Sequence, residues 1–188
     1  MTPFSFQQTT IEGLIQIHPF LAEDARGYFL KDYSYETFME NGIVHELKEV
    51  FYTRSHPGVI RAIHFQREKQ QTKLVRCVQG KIFDVVVDLR KDSQTFGKWE
   101  SFLLSGENHH QLFIPEGCGH GYLVLEESMV SYKCGEKFYG EFDDGILWND
   151  PDLAISWPLD QVKPSVILSE KDRNLQTFSA FCQNHGGF

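Results

Sequence analysis

The 188-residue sequence predicts an all-β protein in which many short strands form a sandwich or a barrel. Segments in which apolar and polar residues alternate run through most of the chain, and this alternation is typical of half-buried strands. Turn-forming residues separate the segments, for example His56-Pro57-Gly58, Gln79-Gly80 and Asp143-Asp144-Gly145. Hydrophobic residues make up 41% of the chain, which is enough for a sizeable core.

In chain order, the first predicted elements are an edge strand at 11–21, an extended segment at 28–32 and a short helix at 35–40. Further strands are predicted at 44–55, 58–66, 72–79, 81–89, 99–104, 110–114, 121–126, 128–134 and 145–148. A longer C-terminal helix is predicted at about 170–182, because Ser169 followed by Asp172 resembles a capping box. No repeat or linker divides the chain, so we expect residues 1–188 to form one domain.

Composition and charge argue against several functional classes. The formal net charge of −8 argues against a nucleic-acid-binding surface. No apolar run approaches the ~20 residues of a transmembrane helix, and the first residues lack the pattern of a signal peptide. The four Cys residues are widely spaced without a CxxC pair, which favours reduced thiols over disulfides or a zinc site. We therefore expect a cytoplasmic protein that binds neither nucleic acid nor membrane.

Four polar side chains lie in the otherwise apolar stretch 58–90: Arg61, His64, Lys73 and Asp84. Burying a charge without a partner is costly, so these groups either pair with one another or line a ligand pocket. Regular strand alternation places His64 on one face with Ala62 and Gln66, and it places Arg61 on the opposite face.

His64, Asp84 and Tyr132 each share a strand face with apolar residues. A mixed face of this kind indicates a barrel interior that is open to a ligand at one end. His64 is followed by Phe65-Gln66, without the second His of an H-x-H metal motif, so we expect no bound metal. The residues alone leave open whether His64 is a hydrogen-bonded core histidine or a functional group.

Three further pairs of interpretations stay open at this point. Arg26, Arg54, Arg61 and Lys73 are either solvated charges or ligands for phosphate groups. His120 lies between glycines, which suits either a tight corner or the close approach of a ligand. Asp172 either completes a helix cap or orients a histidine.

Several motifs, in this order and spacing, resemble the dTDP-4-dehydrorhamnose 3,5-epimerase family over about residues 10–175. They are Asp24-Ala25-Arg26-Gly27-Tyr28-Phe29, Arg61-Ala62-Ile63-His64-Phe65-Gln66, Lys73-Leu74-Val75, the run from Phe83 to Arg90, His120-Gly121-Tyr122, Tyr132-Lys133-Cys134 and Leu168-Ser169-Glu170-Lys171-Asp172. The resemblance implies a cupin-like jelly roll, a double-stranded β-helix, with short helices and a C-terminal helix. It also implies a cofactor-independent isomerase that inverts C3 and C5 of a nucleoside-diphosphate 4-keto-6-deoxy sugar through an enolate.

The resemblance assigns roles to matching positions. His64 would be the general base, oriented by Asp172, while Lys73 would stabilise the enolate oxygen. Tyr132 would return the proton from the opposite face. The positions implied in substrate binding are Arg26, Phe29, Arg61, Gln66, Asp84, His120 and Phe138. The resemblance further implies a homodimer in which N-terminal segments cross to the partner.

Departures from the family pattern leave the substrate and the outcome of the reaction open. Glu49, Val50 and Phe51 stand where the family usually has Gln-Asp-Asn near the nucleoside, so a CDP- or GDP-linked sugar is an alternative substrate. Phe138 stands where a second Tyr is common, which leaves a C3-only epimerase open. A related sugar ketoisomerase and a non-catalytic sugar-nucleotide binder also stay open.

Overall fold

The computed structural model describes residues 1–162 and 165–188. Its strands are Ser5–Gln8 (β1), Ile15–His18 (β2), Phe20–Asp24 (β3), Gly27–Lys31 (β4), Glu49–Ser55 (β5), Ile60–Gln66 (β6), Lys73–Asp88 (β7), Trp99–Ser105 (β8), Gln111–Ile114 (β9), Cys118–Cys134 (β10) and Asp143–Gly145 (β11). Its α-helices are Tyr35–Glu40 (α1), Glu170–Arg173 (α2) and Phe178–His185 (α3), and a 3-10 turn spans Leu159–Gln161. The prediction of an all-β protein with short helices is confirmed.

Two long strands, β7 and β10, pair with each other along their length and belong to both layers of the fold. In one layer, the first half of β7 pairs with β9, and the second half of β10 pairs with β5. In the other layer, the second half of β7 pairs with β8, and the first half of β10 pairs with β6. All of these pairings are antiparallel, and two sheets that share long bent strands enclose an interior, as in a jelly roll.

Gly80 lies within β7, where the strand passes from one layer to the other. The prediction of two strands separated by Gln79-Gly80 is wrong, because pairing with β10 continues past Gly80 with shifts in register. Gly80 has a φ of +77°, and a Cβ there would collide with the carbonyl of Glu127 on β10. A glycine that bends one strand and a glycine that separates two strands give the same sequence signal. The predicted strands 121–126 and 128–134 are likewise one strand, β10, and the register against β7 shifts between Val124 and Met129.

The core consists of three apolar clusters. The interior cluster includes Val86 and Tyr132, both on strands shared by the two layers. A second cluster, which includes Val87 and Phe181, lies between the outer face of the β6 layer and the C-terminal residues. A third cluster lies under α1 and is centred on Phe38. Val86 and Val87 are consecutive and belong to different clusters, as strand alternation requires.

The predicted helix at about 170–182 is interrupted between α2 and α3. Gln176 forms a parallel bridge with Ile146, and its carbonyl accepts a hydrogen bond from Leu147 N (2.9 Å). These long-range contacts hold the intervening segment in an extended form, which local helix propensity does not reveal. Among the N-terminal elements, helix α1 has the predicted bounds. The predicted edge strand at 11–21 is divided between β2 and β3, and strand β1 was not predicted.

Strands β3 and β4 form a separate two-stranded ribbon.

The four cysteines, all within the described residues, are free thiols, and Cys77, Cys118 and Cys134 are buried. Burial raises the pKa of Cys118 to about 12, so this thiol stays protonated at neutral pH. The prediction of free thiols is therefore confirmed. A search of residues 1–162 and 165–188 finds no helix with the length and apolarity to cross a membrane.

Candidate active site

A cavity of about 320 Å³ lies among β5, β6, β7, β10, β11 and α2. All the residues with predicted catalytic roles line it: His64, Lys73, Tyr132 and Asp172. Some predicted substrate-binding residues line it as well: Arg61, Gln66, His120 and Phe138. The others lie elsewhere: Arg26, Phe29 and Asp84. Residues far apart in the sequence meet here because β5, β6 and β7 all pair with β10.

Arg61 and His64 both face the cavity, which corrects the predicted alternation on β6. His64 is the partner of His120 on β10, and Arg61 is the partner of Tyr122, so β6 has one residue more than β10 between the pairs. This extra residue is a β-bulge, and a bulge places residues three apart on the same face. The prediction that Arg61 faces away from His64 is therefore wrong. Arg61 Nε donates a hydrogen bond to Ser55 Oγ (3.1 Å).

His64 pairs with Asp172, with Nε2 of the ring 2.6 Å from Oδ1 of the carboxylate. Asp172 also belongs to the cap of α2, since its backbone N–H donates to Ser169 Oγ (3.0 Å), and the Ser169 hydroxyl donates to Asp172 Oδ2 (2.8 Å). Burial would raise the pKa of Asp172, but hydrogen bonds from His64 and Ser169 outweigh burial and lower it. The structure thus accommodates both interpretations of Asp172, because its backbone caps the helix while its carboxylate faces the imidazole.

Lys73 is the first residue of β7 and is half-buried in the cavity wall. Burial lowers the pKa of its ammonium, and the neighbouring Cys134 and Asp143 offset part of this effect. An ammonium that is partly removed from water interacts more strongly with an anion than a fully solvated one does. Lys73 can therefore stabilise negative charge that develops on a bound ligand.

Tyr132 lies on β10 opposite Phe51 of β5, and the two rings stack with centroids 4.8 Å apart. The ring also meets His120 edge-on at 5.8 Å. Burial, followed by the neighbouring Tyr122 and Asp84, raises the pKa of Tyr132 well above its ordinary value of 10.0. The phenol is therefore protonated at neutral pH and can donate a proton.

Asp84 lies behind His120 and does not reach the cavity wall. His120 Nε2 is 2.8 Å from Asp84 Oδ2, and both side chains are buried. Burial raises the pKa of Asp84, and its Oδ1 has no hydrogen-bond partner among the described residues. The geometry makes Asp84 a support for the orientation of His120.

The loop that carries Phe138 is held by side chains from two strands. Gln66 Nε2 donates to the carbonyl of Lys137 (3.2 Å), and Gln66 Oε1 accepts from Tyr139 N (2.6 Å). Glu49 Oε2 accepts from Phe138 N (3.0 Å). Because Gln66 uses both ends of its amide on the backbone, its main effect is to fix Phe138 at the cavity.

Arg26 and Phe29 lie on the β3–β4 ribbon, away from the cavity. The Arg26 side chain is 90% exposed, and its Nη2 pairs with Asp24 Oδ2 at 2.5 Å. Phe29 is 60% exposed and touches Phe20 with ring centroids 6.2 Å apart. Within one chain, the structure does not bring these two residues to the other predicted site residues.

Other residues of the cavity wall were not assigned to the site from the sequence: Phe51, Thr53, Phe65, Gln71, Asp143, Ser169 and Lys171. Phe51 lies opposite Tyr132 in the sheet, and the sequence did not show this because the pairing depends on the register between β5 and β10. Lys171 and Asp143 form an ion pair. No local pattern distinguishes these two charges from ordinary surface residues.

Imidazole, ammonium, phenol and carboxylate groups converge on the cavity, and these groups perform acid–base chemistry. In the described segments, no group of three His, Cys, Asp or Glu side chains is placed to hold a metal ion. A jelly roll with these groups around its cavity is the structure of an acid–base enzyme of the cupin-like type.

Comparison with known proteins gives the family. Residues 8–180 match the family model described as dTDP-4-dehydrorhamnose 3,5-epimerase. A dTDP-4-dehydrorhamnose 3,5-epimerase from Methanothermobacter thermautotrophicus is 49% identical over 175 residues, which are 93% of this chain and 94% of the relative. The chain belongs to the dTDP-4-dehydrorhamnose 3,5-epimerase family, and it is an isomerase of the epimerase class.

Solved structures agree with this result. An epimerase from Legionella pneumophila in complex with dTDP-4-keto-L-rhamnose has a TM-score of 0.89 and 36% identity, and the match covers 94% of each chain. A 3'-monoepimerase from Streptomyces bikiniensis in complex with dTDP-quinovose has a TM-score of 0.86 and 29% identity, covering 94% of this chain and 89% of that one. The predicted family and the cupin-like jelly roll are both confirmed.

Proposed function

We propose that the protein inverts C3 and C5 of a dTDP-linked 4-keto-6-deoxy sugar by acid–base chemistry through an enolate, without a cofactor. The observation that carries the proposal is the position of the His64–Asp172 pair, Lys73 and Tyr132 around one cavity. The cavity volume of about 320 Å³ is within the range of small-molecule sites. The dTDP-linked ligands named for the Legionella and Streptomyces structures support the choice of nucleotide.

The reaction begins when His64 removes the proton from the carbon next to the C4 ketone. Asp172 engages Nε2 of the ring, so the other ring nitrogen is the base. The electron pair of the broken C–H bond moves toward the ketone, and the negative charge of the enolate develops on the C4 oxygen. Lys73 stabilises that oxygen, and this stabilisation is stronger because the ammonium is partly removed from water.

Tyr132 completes the inversion by donating its phenolic proton to the same carbon from the opposite face. The C4 ketone re-forms as the carbon takes the proton. The reaction is a pure isomerisation, since one proton leaves and one proton arrives without oxidation or reduction. Proton exchange with solvent returns His64 and Tyr132 to their starting forms before the second carbon reacts.

The substrate diphosphate requires cations, and Arg61 is the arginine at the cavity wall. We assign Arg26 and Phe29 to the same task through a homodimer, in which the β3–β4 ribbon of one protomer reaches the cavity of its partner. The exposure of Phe29 in the single chain supports this assignment, because its ring is free to contact a partner protomer. We place the enzyme in the cytoplasm, where its free thiols would remain reduced.

A C3-only epimerase is the second candidate. The observation in its favour is Phe138, which lies at the cavity and brings no hydroxyl group to it. The structural similarity to a 3'-monoepimerase is compatible with the same activity.

The test is incubation with a 4-keto-6-deoxy sugar in D₂O, with dTDP-, CDP- and GDP-linked forms compared. Double epimerisation places deuterium at both C3 and C5 of the dTDP-linked sugar, whereas a C3-only enzyme labels C3 alone. A folded enzyme that labels neither carbon with any of these substrates would contradict the proposal.

For His64→Ala we expect exchange at both carbons to fall by about 10²–10⁴-fold, because the base is lost, while nucleotide binding is retained. For Lys73→Ala we expect a fall in kcat of about 10²-fold or more with little change in nucleotide affinity. Lys98→Ala is the control, since Lys98 is an exposed lysine outside the cavity. Wild-type exchange in His64→Ala would remove this residue as the base.

A further inference from the structure

The last residues of the sequence are folded back onto the end of β7. Helix α3 ends at His185 and is capped by Gly186, which has a φ of +70°, and Gly187 follows with a φ of +95°. These left-handed conformations favour glycine. Phe188 then pairs with the end of β7, since its N–H donates to the Leu89 carbonyl (2.8 Å) and its carbonyl accepts from Lys91 N (3.1 Å).

The ring of Phe188 is anchored among other aromatic rings. Its centroid lies 5.3 Å from that of Phe65 and 5.5 Å from that of Phe181. Phe181 is fully buried, and Phe65 is nearly so. Phe65 also lines the active-site cavity, so only one layer of side chains separates the Phe188 ring from the site.

A second, very small cavity of about 10 Å³ lies between Phe188 and Lys73. Gln71, Gly117 and Cys118 contribute to its wall. Lys73 lines both cavities, so its side chain lies between the substrate site and this small space. A space of this size holds about one water molecule at most.

We propose that Phe188 is a positioning residue for the reaction, because its ring closes the barrel behind Lys73 and keeps solvent from the rear of the ammonium. The inference rests on the proposed role of Lys73. A wet ammonium stabilises the enolate less, since water screens the charge. The Phe188 ring does not touch the substrate, so it acts only through Lys73.

Several titratable groups face Lys73 and remain when Phe188 is changed. They are Cys134 on β10, Asp143 on β11, Cys118 at the start of β10 and Asp84 on β7. Around the same cavity lie further charged or titratable groups: Arg61, His64, His120, Tyr132, Lys171 and Asp172. Burial is the largest influence on the Lys73 pKa and it lowers the value, so admission of water moves the pKa up toward 10.5.

The experiment compares Phe188→Ala, which opens the space, with Phe188→Leu, which keeps an apolar cover. The titration midpoint of Lys73 is measured by NMR on protein labelled at lysine Cε, with Lys73→Arg used to assign the signal. In Phe188→Ala we expect a higher midpoint and a kcat about tenfold lower with KM unchanged. Phe188→Leu is expected to keep both values near those of the wild type.

Gly187→Ala is the second variant. A Cβ at this position would lie 2.8 Å from Lys91 Cβ and 3.0 Å from the Leu89 carbonyl oxygen. The substitution would therefore displace residues 187–188 without altering the Phe188 side chain. Gly187→Ala is expected to show the same higher Lys73 midpoint and lower kcat as Phe188→Ala. If Phe188→Ala does not fold, Gly187→Ala alone tests the inference. Phe96→Ala is the control, since this ring packs on Phe178 rather than on the rings around Phe188 and lines neither cavity.

The inference is overturned if folded Phe188→Ala, or folded Gly187→Ala in its place, keeps the wild-type midpoint and kcat. It is also overturned if Phe96→Ala produces the same changes, because general loosening of the apolar cluster would then explain them. The NMR titration needs no substrate. If the wild-type enzyme shows no exchange activity, the proposed function is refuted. The effect of Phe188 on the Lys73 titration midpoint can still be measured in that case.

Discussion

At the scale of single residues, Asp172 shows how one side chain serves both helix formation and the site. Its backbone N–H is bound by the cap residue Ser169, and its carboxylate lies against His64. The cap fixes the carboxylate relative to β6, so the imidazole is oriented by a rigid element. The cap could be predicted from Ser169 and Asp172, whereas the contact with His64 joins residues about a hundred positions apart and leaves no local signal.

For Asp172→Asn we expect a loss of exchange activity of about 10²-fold, because the amide keeps the shape but removes the charge that supports protonated His64. The measurement is deuterium incorporation at saturating substrate. Glu170→Gln is the matched control, since it removes an exposed carboxylate of the same helix that lies outside the cavity, and it is expected to keep wild-type activity. An equal loss of activity in Glu170→Gln would mean that the overall charge of α2, and not the Asp172–His64 pair, supports the base.

At the scale of elements, the strands were predictable and their connections were less so. The alternation of apolar residues gave the positions of β6 to β10 but did not show that Gly80 bends a continuous strand. The bulge in β6 was also hidden, because it is defined by the register against β10. That bulge brings Arg61 to the cavity, so the missing information was long-range pairing.

The end of β7 depends on Asp88, a fully buried carboxylate. Its oxygens accept hydrogen bonds from Arg90 Nε (2.9 Å), Ser93 Oγ (2.5 Å) and Thr95 Oγ1 (2.6 Å). Burial would raise the pKa of Asp88, but these hydrogen bonds outweigh burial and lower the pKa to about 2. A folded-state pKa below the ordinary 3.8 means that the ionised form stabilises the protein.

For Asp88→Asn we therefore expect a loss of about 2 kcal/mol in the free energy of unfolding at pH 7. The contribution is fully present above the unfolded-state pKa, so the gap from the wild type is constant above about pH 5 and narrows as the pH falls through 4 toward 2. Urea unfolding at a series of pH values measures the gap. Asp92→Asn, at an exposed neighbouring position, is the control and is expected to show no gap. A gap that widened on acidification would contradict the assignment.

At the scale of the whole molecule, the cavity combines residues from five strands and a helix, and one chain leaves part of the predicted site elsewhere. The family motifs identified the central residues because His64, Lys73, Tyr132 and Asp172 all lie within those motifs. They could not show where Arg26 and Phe29 lie, since this depends on assembly. The net charge of −8 is likewise no guide to the cavity, which contains Arg61, Lys73 and Lys171.

The proposed homodimer predicts that two defective variants restore activity to each other. His64→Ala lacks the base, and Arg26→Ala/Phe29→Ala lacks the ribbon side chains. If the ribbon of one protomer serves the cavity of its partner, a mixed dimer has one complete cavity, formed by His64 of the ribbon variant and the intact ribbon of the other protomer. Random re-association of equal amounts then gives about a quarter of wild-type activity, because half of the dimers are mixed and each has one working cavity of two.

Activity is measured at low substrate concentration after the two variants are unfolded together and refolded, and each variant treated alone is the control. If each ribbon serves its own cavity, every cavity in the mixture lacks either the base or the ribbon residues, and activity stays at the level of the controls. Wild-type activity in Arg26→Ala/Phe29→Ala alone would remove the ribbon from the site altogether. Recovery toward a quarter requires a cavity built from two chains, because no single chain in the mixture carries both His64 and an intact ribbon.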